Sequence, residues 1–164
     1  MTLGPGRKKQ GLVQNRTFVQ NRTFLITDVG YGRGMPDRGE KPDVADVELG
    51  LAIEVDRQIL AGAVANLLQN AFKFTRPHGR VSLKTFSSAD RVLIEVADEC
   101  GGLPPGDAEG LFRLFEQRSG DRSGLGLGIS RRGVEANGGK LHVRNLPGKG
   151  CVFTIDVPKP APAR

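Results

Sequence analysis

The chain has 164 residues, 26% charged and 38% apolar, a composition that suits one globular domain with its own hydrophobic core. Its net charge of +6 favours anionic partners, but Trp is absent, Tyr31 is the only tyrosine and no run interleaves aromatics with Lys and Arg, which argues against nucleic acid. No apolar run of about eighteen residues is present to span a bilayer as a helix, and the basic stretch Met1–Lys9 lacks the apolar region of a secretory signal, so a cytoplasmic protein is expected.

Residues 1–45 are rich in Gly, Arg and Asp and show little periodicity. They hold a short direct repeat, Val13–Phe18 followed by Val19–Phe24, and two such copies are too few for a solenoid. A strand over Thr23–Val29 is possible, the segment is otherwise expected to be irregular, and no function is assigned to it. A folded domain is expected over residues 46–158, followed by a Pro-rich tail at 159–164. Leu51–Val55 alternates in polarity and reads as a strand. Asp56 is placed to cap a helix reaching about Phe74, in which Leu60, Ala63, Val64, Leu67, Leu68 and Ala71 recur at helical spacing. Pro77 and Gly79 end it. Two strands are expected over 80–87 and 91–98, joined by a turn at Ser88-Ala89-Asp90, with a loop and short helix over 101–115. A second helix starts near Gly126 and stops at Asn137-Gly138-Gly139. Strands over 140–145 and 151–157 then close a hairpin around Pro147–Gly150. The expected fold is α+β, a two-layer sandwich with a mixed sheet covered by helices on one face.

Three segments carry chemistry. On the first helix, Asn66, Asn70 and Lys73 are spaced four and three apart and share a face away from the apolar stripe. An Asn carbonyl oxygen is a hard, neutral ligand suited to magnesium, although a solvated polar face has the same pattern. Asp98 ends a β-branched strand and opens the loop containing Gly101 and Gly102. A carboxylate there can accept from the exocyclic amine of adenine while glycine lets the backbone approach the ring, or it is simply a strand-end turn. Gly124, Gly126 and Gly128 alternate with Leu125 and Leu127 before the second helix, where bare N–H groups and the helix dipole favour an anion. The segment before them, Glu116–Arg122, is polar, which fails a dinucleotide-binding βαβ unit, and no Gly-Lys-Ser/Thr is present for a P-loop. Cys100 and Cys151 lie in separate motifs without metal-ligand spacing and read as free thiols.

Together these segments resemble the ATP-binding catalytic domain of sensor histidine kinases, in the superfamily that includes gyrase-type and chaperone ATPases, with their Bergerat-type fold. Asn66–Thr75 is similar to the asparagine box, Asp98–Pro104 to the first glycine box, Leu111–Phe115 to the phenylalanine box, Gly124–Ser130 to the second glycine box and Gly148–Thr154 to the closing strand motif. The resemblance implies ATP and Mg2+ as ligands. It implies that Asn70 coordinates the metal, Asn66 supports the phosphate side, Lys73 reaches phosphate oxygens and Asp98 accepts from adenine. Gly102, Gly124, Leu125, Gly126, Leu127, Gly128 and Thr154 are implied as further nucleotide contacts, and the stretch between Phe115 and Gly124 as a lid. Phe112 and Phe115 read as core contacts that anchor it. Cys100 replaces the first glycine of the box, and a positive φ there would strain it by about 1–2 kcal/mol unless Gly101 takes the turn.

Hydrolysis needs a base for water, and the resemblance puts Asn66 where the hydrolysing relatives carry Glu, so phosphoryl transfer to a histidine is favoured. Neither His78, before Gly79 in a turn, nor His142, in a strand, looks like an acceptor, and residues 1–45 do not read as a dimerisation hairpin. The expectation is a catalytic domain that serves a histidine on another chain or segment, and through it a response regulator, with the domain alone a monomer. The alternative is a nucleotide-binding or interaction module without turnover.

Overall fold

The computed structural model describes residues 16–17, 51, 53–105, 110–112 and 125–160. The expectations for Phe115, Gly124, the lid, the possible strand Thr23–Val29 and the tail beyond 160 fall outside these residues.

The first elements are short. β1 (Arg16–Thr17) pairs antiparallel with β2 (Val55–Asp56). The expected strand Leu51–Val55 is therefore regular only at its end, where backbone partners exist, while Leu51 and Ile53 still pack into the core. Helix α1 (Arg57–Phe74) follows directly. Asp56 caps it as expected, its carboxylate accepting from the N–H groups of Gln58 and Ile59 at 2.9 and 3.1 Å. The expected stripe is buried, joined by Phe72.

β3 (Val81–Ser88) and β4 (Arg91–Asp98) form a hairpin. Residues 110–112 are helical. Helix α2 (Leu125–Ala136) precedes β5 (Lys140–Leu146) and β6 (Gly150–Pro158). Its stop is the one read from Asn137-Gly138-Gly139. Gly138 takes φ +72°, and the N–H groups of Gly138 and Gly139 return to the carbonyls of Glu135 and Val134.

The four long strands run in the order β3-β4-β6-β5, antiparallel at every pairing. The mixed sheet of the sequence reading is thus corrected to an antiparallel one among the described residues. β6 lies between β4 and β5, which run in one direction while β6 runs in the other. The α+β layering is as expected. Alternation puts Val92, Ile94 and Val96 of β4 and Phe153, Ile155 and Val157 of β6 on one face, where they share a core with the apolar side of α1 and with Leu127 and Val134 of α2. Arg91 fixes the far end of this sheet, its Nε 2.6 Å from an Asp156 carboxylate oxygen.

Candidate functional site

The C-terminal ends of α1 and β4 are fastened together. The Arg76 N–H donates to the Glu99 carbonyl at 3.2 Å, and the Glu99 N–H donates to the buried Thr75 hydroxyl at 3.3 Å. Asn70 and Phe74 from α1 thereby face Asp98 at the end of β4 across a cavity of about 320 Å³. Cys100, Gly102, Leu103 and Pro104 wall it from the loop after β4, Leu111 and Leu127 from the helical side, and Cys151 and Phe153 from β6. The wall is mostly apolar with a few polar groups, as in small-molecule sites generally.

Asp98 is only 7% exposed because the two-residue period of β4 turns it to the same face as Val92, Ile94 and Val96. Its burial is compensated by hydrogen bonds. Oδ1 accepts from the Cys100 N–H at 3.0 Å and Oδ2 accepts from the Cys151 thiol at 3.2 Å. A carboxylate has about four acceptor positions, so capacity remains for a donor in the cavity. Burial, and then the Asp98 carboxylate, push the Cys151 thiol far above the ordinary range. Burial and hydrogen bonding to Asp98 also raise Cys100. Both are neutral thiols at physiological pH.

The glycine loop solves the departure at Cys100. Gly101 and Gly102 take φ of +96° and +104°, whereas Cys100 is not among the positive-φ residues, so the turn is carried one position later and the thiol is unstrained. Gly102 is also closely packed, since a Cβ there would lie 3.1 Å from Asn145 Oδ1, which accepts from the Leu103 N–H at 2.9 Å.

The structure separates the other sequence candidates. Asn70 lines the cavity. Asn66 instead spends its amide nitrogen on α2, donating to the Gly126 carbonyl at 3.2 Å and to Ser130 Oγ at 2.9 Å. Gly126 is closely packed here, because a Cβ would stand 3.1 Å from the Asn66 amide carbon and that side chain would have to give way slightly. Lys73 is exposed, with Nζ 5.3 Å from the centre of the Phe74 ring, which itself borders the cavity. Leu127 is buried and lines the cavity, Gly128 is buried in the first turns of α2, and the Leu125 backbone is helical, while Gly124 is outside the described residues. Phe112 is a core residue as expected, with the Arg131 guanidinium 4.7 Å above its ring.

Thr154 requires correction. It alternates with the cavity-lining Phe153 and the core residue Ile155, pairs with Glu95 and His142, and therefore lies on the opposite face of the sheet. The period-two pattern of Cys151, Phe153, Ile155 and Val157 carried that signal in the sequence. Sequence reasoning also missed Phe74, Leu103 and Cys151 as cavity residues. For Phe74, an aromatic outside the apolar stripe at the helix end was the available clue.

Residues 55–161, more than half of the chain, match the family of histidine kinase-, DNA gyrase B- and HSP90-like ATPases. The chain belongs to this family. It is 33% identical over 130 residues to the circadian input-output histidine kinase CikA of Synechococcus elongatus, covering 74% of this chain and 17% of CikA. It thus spans about a sixth of that relative's length. Among solved structures, the mycobacterial sensor histidine kinase MprB superposes with a TM-score of 0.73 at 26% identity, over 88% of this chain and 97% of that one. Full-length ShkA in complex with AMPPNP gives a TM-score of 0.68 at 26% identity, over 91% of this chain and 32% of that one. The resemblance to sensor histidine kinases and the α+β fold are borne out, and the chain is an ATP-binding domain of this family.

Proposed function

We propose that this domain binds Mg-ATP in the cavity beside Asp98 and donates the γ-phosphoryl group to a histidine presented by a helical dimerisation hairpin in cis or in trans. The observation that carries this reading is the placement of one buried carboxylate, Asp98, and one amide, Asn70, on an otherwise apolar cavity of about 320 Å³. Asp98 accepts from the adenine amine, and Gly102 lets the ring lie close to the backbone. The Asn70 carbonyl oxygen is the protein's ligand to the metal, a donor whose hardness fits magnesium. When bound, magnesium neutralises phosphate charge and orients the triphosphate.

Lys73 swings from the Phe74 ring to phosphate oxygens, a movement open to an exposed side chain on a flexible stem. Asn66 acts as a positioning residue through its hydrogen bonds to α2, whose first turn, with Gly126, Leu127 and Gly128, faces the phosphate side. Transfer is favoured over hydrolysis because Asn66 stands where a base would be needed, and an amide held by Gly126 and Ser130 cannot take a proton from water. The acceptor histidine brings its own nucleophile. A response regulator then receives the group from that histidine, and work on ATP fits a cytoplasmic domain, monomeric when separate.

The test is incubation with Mg2+ and γ-labelled ATP, with and without a histidine-bearing hairpin from a sensor kinase. Acid-labile label on the hairpin is expected. ATP binding without any label on a hairpin that a known catalytic domain does phosphorylate would instead make this a non-catalytic nucleotide-binding module.

A further inference from the structure

Cys100 and Cys151 are 51 positions apart in sequence, yet their sulfurs are 3.7 Å apart, and Cys151 Sγ is 3.2 Å from Asp98 Oδ2. The register of the sheet causes this. Asp98 and Cys151 are direct partners on β4 and β6, and Cys100 returns over them as the chain turns. The turn is fastened by the Gly101 N–H donating to the Lys149 carbonyl at 2.9 Å. Two sulfurs and a carboxylate oxygen thus converge within 4.8 Å of one another. All three residues line the same cavity.

These separations suit a tetrahedral metal. With Zn–S of about 2.3 Å and Zn–O of about 2.0–2.2 Å, two sulfurs stand about 3.8 Å apart and a sulfur and an oxygen about 3.5 Å apart. The observed 3.7 and 3.2 Å need only small adjustments, while the third separation, between the Cys100 sulfur and the Asp98 oxygen and within 4.8 Å, has to shorten towards about 3.5 Å on coordination. The Cys151 thiol proton now points to Asp98, a place that a cation would take over, and Leu127 and Phe153 line the same cavity.

We propose that Asp98, Cys100 and Cys151 form a site for a thiophilic divalent cation such as Zn2+ or Cd2+, and that its occupancy shuts the domain to ATP. Binding converts M2+, two thiols and one carboxylate into a complex of net charge −1 and releases two protons, with the fourth position open to the cavity. The soft sulfur pair selects against Mg2+, whose hard ligand is the Asn70 amide. Coordination occupies the Asp98 oxygen and the space needed by the purine, so metal and nucleotide exclude one another. That competition rests on the adenine role proposed for Asp98; coordination itself does not.

The reduced, metal-free 164-residue chain is titrated with Cd2+ and then with Zn2+. An ultraviolet thiolate-to-cadmium charge-transfer band saturating at one equivalent is expected, and is lost in Cys100→Ala. X-ray absorption at the zinc edge of the unaltered chain, which needs no variant to fold, is expected to show two sulfur ligands with oxygen completing the shell. With free metal held by a buffer at about a hundred times its Kd, the apparent Kd for Mg-ATP rises about a hundredfold by mass action, and Cys100→Ala loses this sensitivity. Absence of the cadmium band, or a zinc shell of nitrogen and oxygen only, overturns the site. A metal bound through both sulfurs without effect on ATP affinity overturns the competition. If metal binds as described but no ATP binds in its absence, the metal site stands and the nucleotide reading fails.

Discussion

Asn66 Nδ2 donates to Ser130 Oγ at 2.9 Å, so an amide on α1 holds the first turns of α2, the helix that brings Leu127 to the cavity wall. Together with the bond to the Gly126 carbonyl, this makes Asn66 part of the joint between two helices. Asn66→Ala should cost about 1–2 kcal/mol in urea unfolding, since two partly buried partners lose their donor. A double-mutant cycle with Ser130→Ala should show coupling of about 0.5–1 kcal/mol. Strict additivity would mean that the bond does not contribute in solution.

Gly150 and Gly148 lie in the same hairpin but should respond differently to alanine. A Cβ on Gly150 would run into the main-chain carbonyl of Asp98, while one on Gly148 meets nothing within 4 Å. Gly150→Ala must push β4 and β6 apart beside Asp98, with an expected loss of about 3 kcal/mol or more. Gly148→Ala meets only the backbone cost of φ +75°, about 1 kcal/mol. Thermal melts of the two variants give the comparison, and equal losses would contradict the close approach of Gly150 to β4.

Asp98 has two jobs, which dictates the variant to use. Its oxygens hold the Cys100 N–H and the Cys151 thiol, so Asp98→Ala would leave buried donors without partners. Asp98→Asn keeps the shape and one acceptor. Both Asp98→Asn and Asn70→Ala are expected to weaken Mg-ATP binding at least about tenfold, or about 1.4 kcal/mol, by calorimetry. Unchanged affinity in Asn70→Ala would remove that residue from the metal's coordination.

The raised thiols also link stability to pH. In the unfolded chain a cysteine ionises near the ordinary value of 9.0, whereas burial first, and then Asp98, keeps Cys151 protonated in the folded state well beyond it. Cys100 is shifted in the same direction. Above about pH 9 the unfolded chain binds fewer protons than the native one, so stability is fully present below that pH and falls as pH rises further. Urea unfolding from about pH 7 to 10, with a chelator present, should show a steeper decline for the parent chain than for Cys151→Ala. Coincident slopes would mean that the Cys151 thiol is not shielded from solvent.

Much of this domain was legible residue by residue. The Asp56 cap, the apolar stripe of α1, the β3–β4 turn and the glycine stop after α2 are local signals set by side-chain chemistry and backbone preference. The nucleotide candidates Asn70 and Asp98 were also readable, because motif spacing reflects the helix period and a strand end. Thr154 was misplaced because family position was followed where strand alternation spoke against it. Other relationships had no local signal. Cysteines in distant motifs carry no ligand spacing, and the polar face of α1 does not say which of its amides meets a cavity and which meets another helix.

The sequence by itself determined the two long helices, the four long strands, the candidate ligand groups and the family, since each depends on neighbours a few residues apart or on motif order. The tertiary structure alone decided that β6 lies beside β4 and that α1 and β4 end together. Strand register and helix docking are set by the sum of many distant contacts. They bring Cys151 to Asp98, turn Asn66 to Ser130 and leave Asn70 facing the cavity.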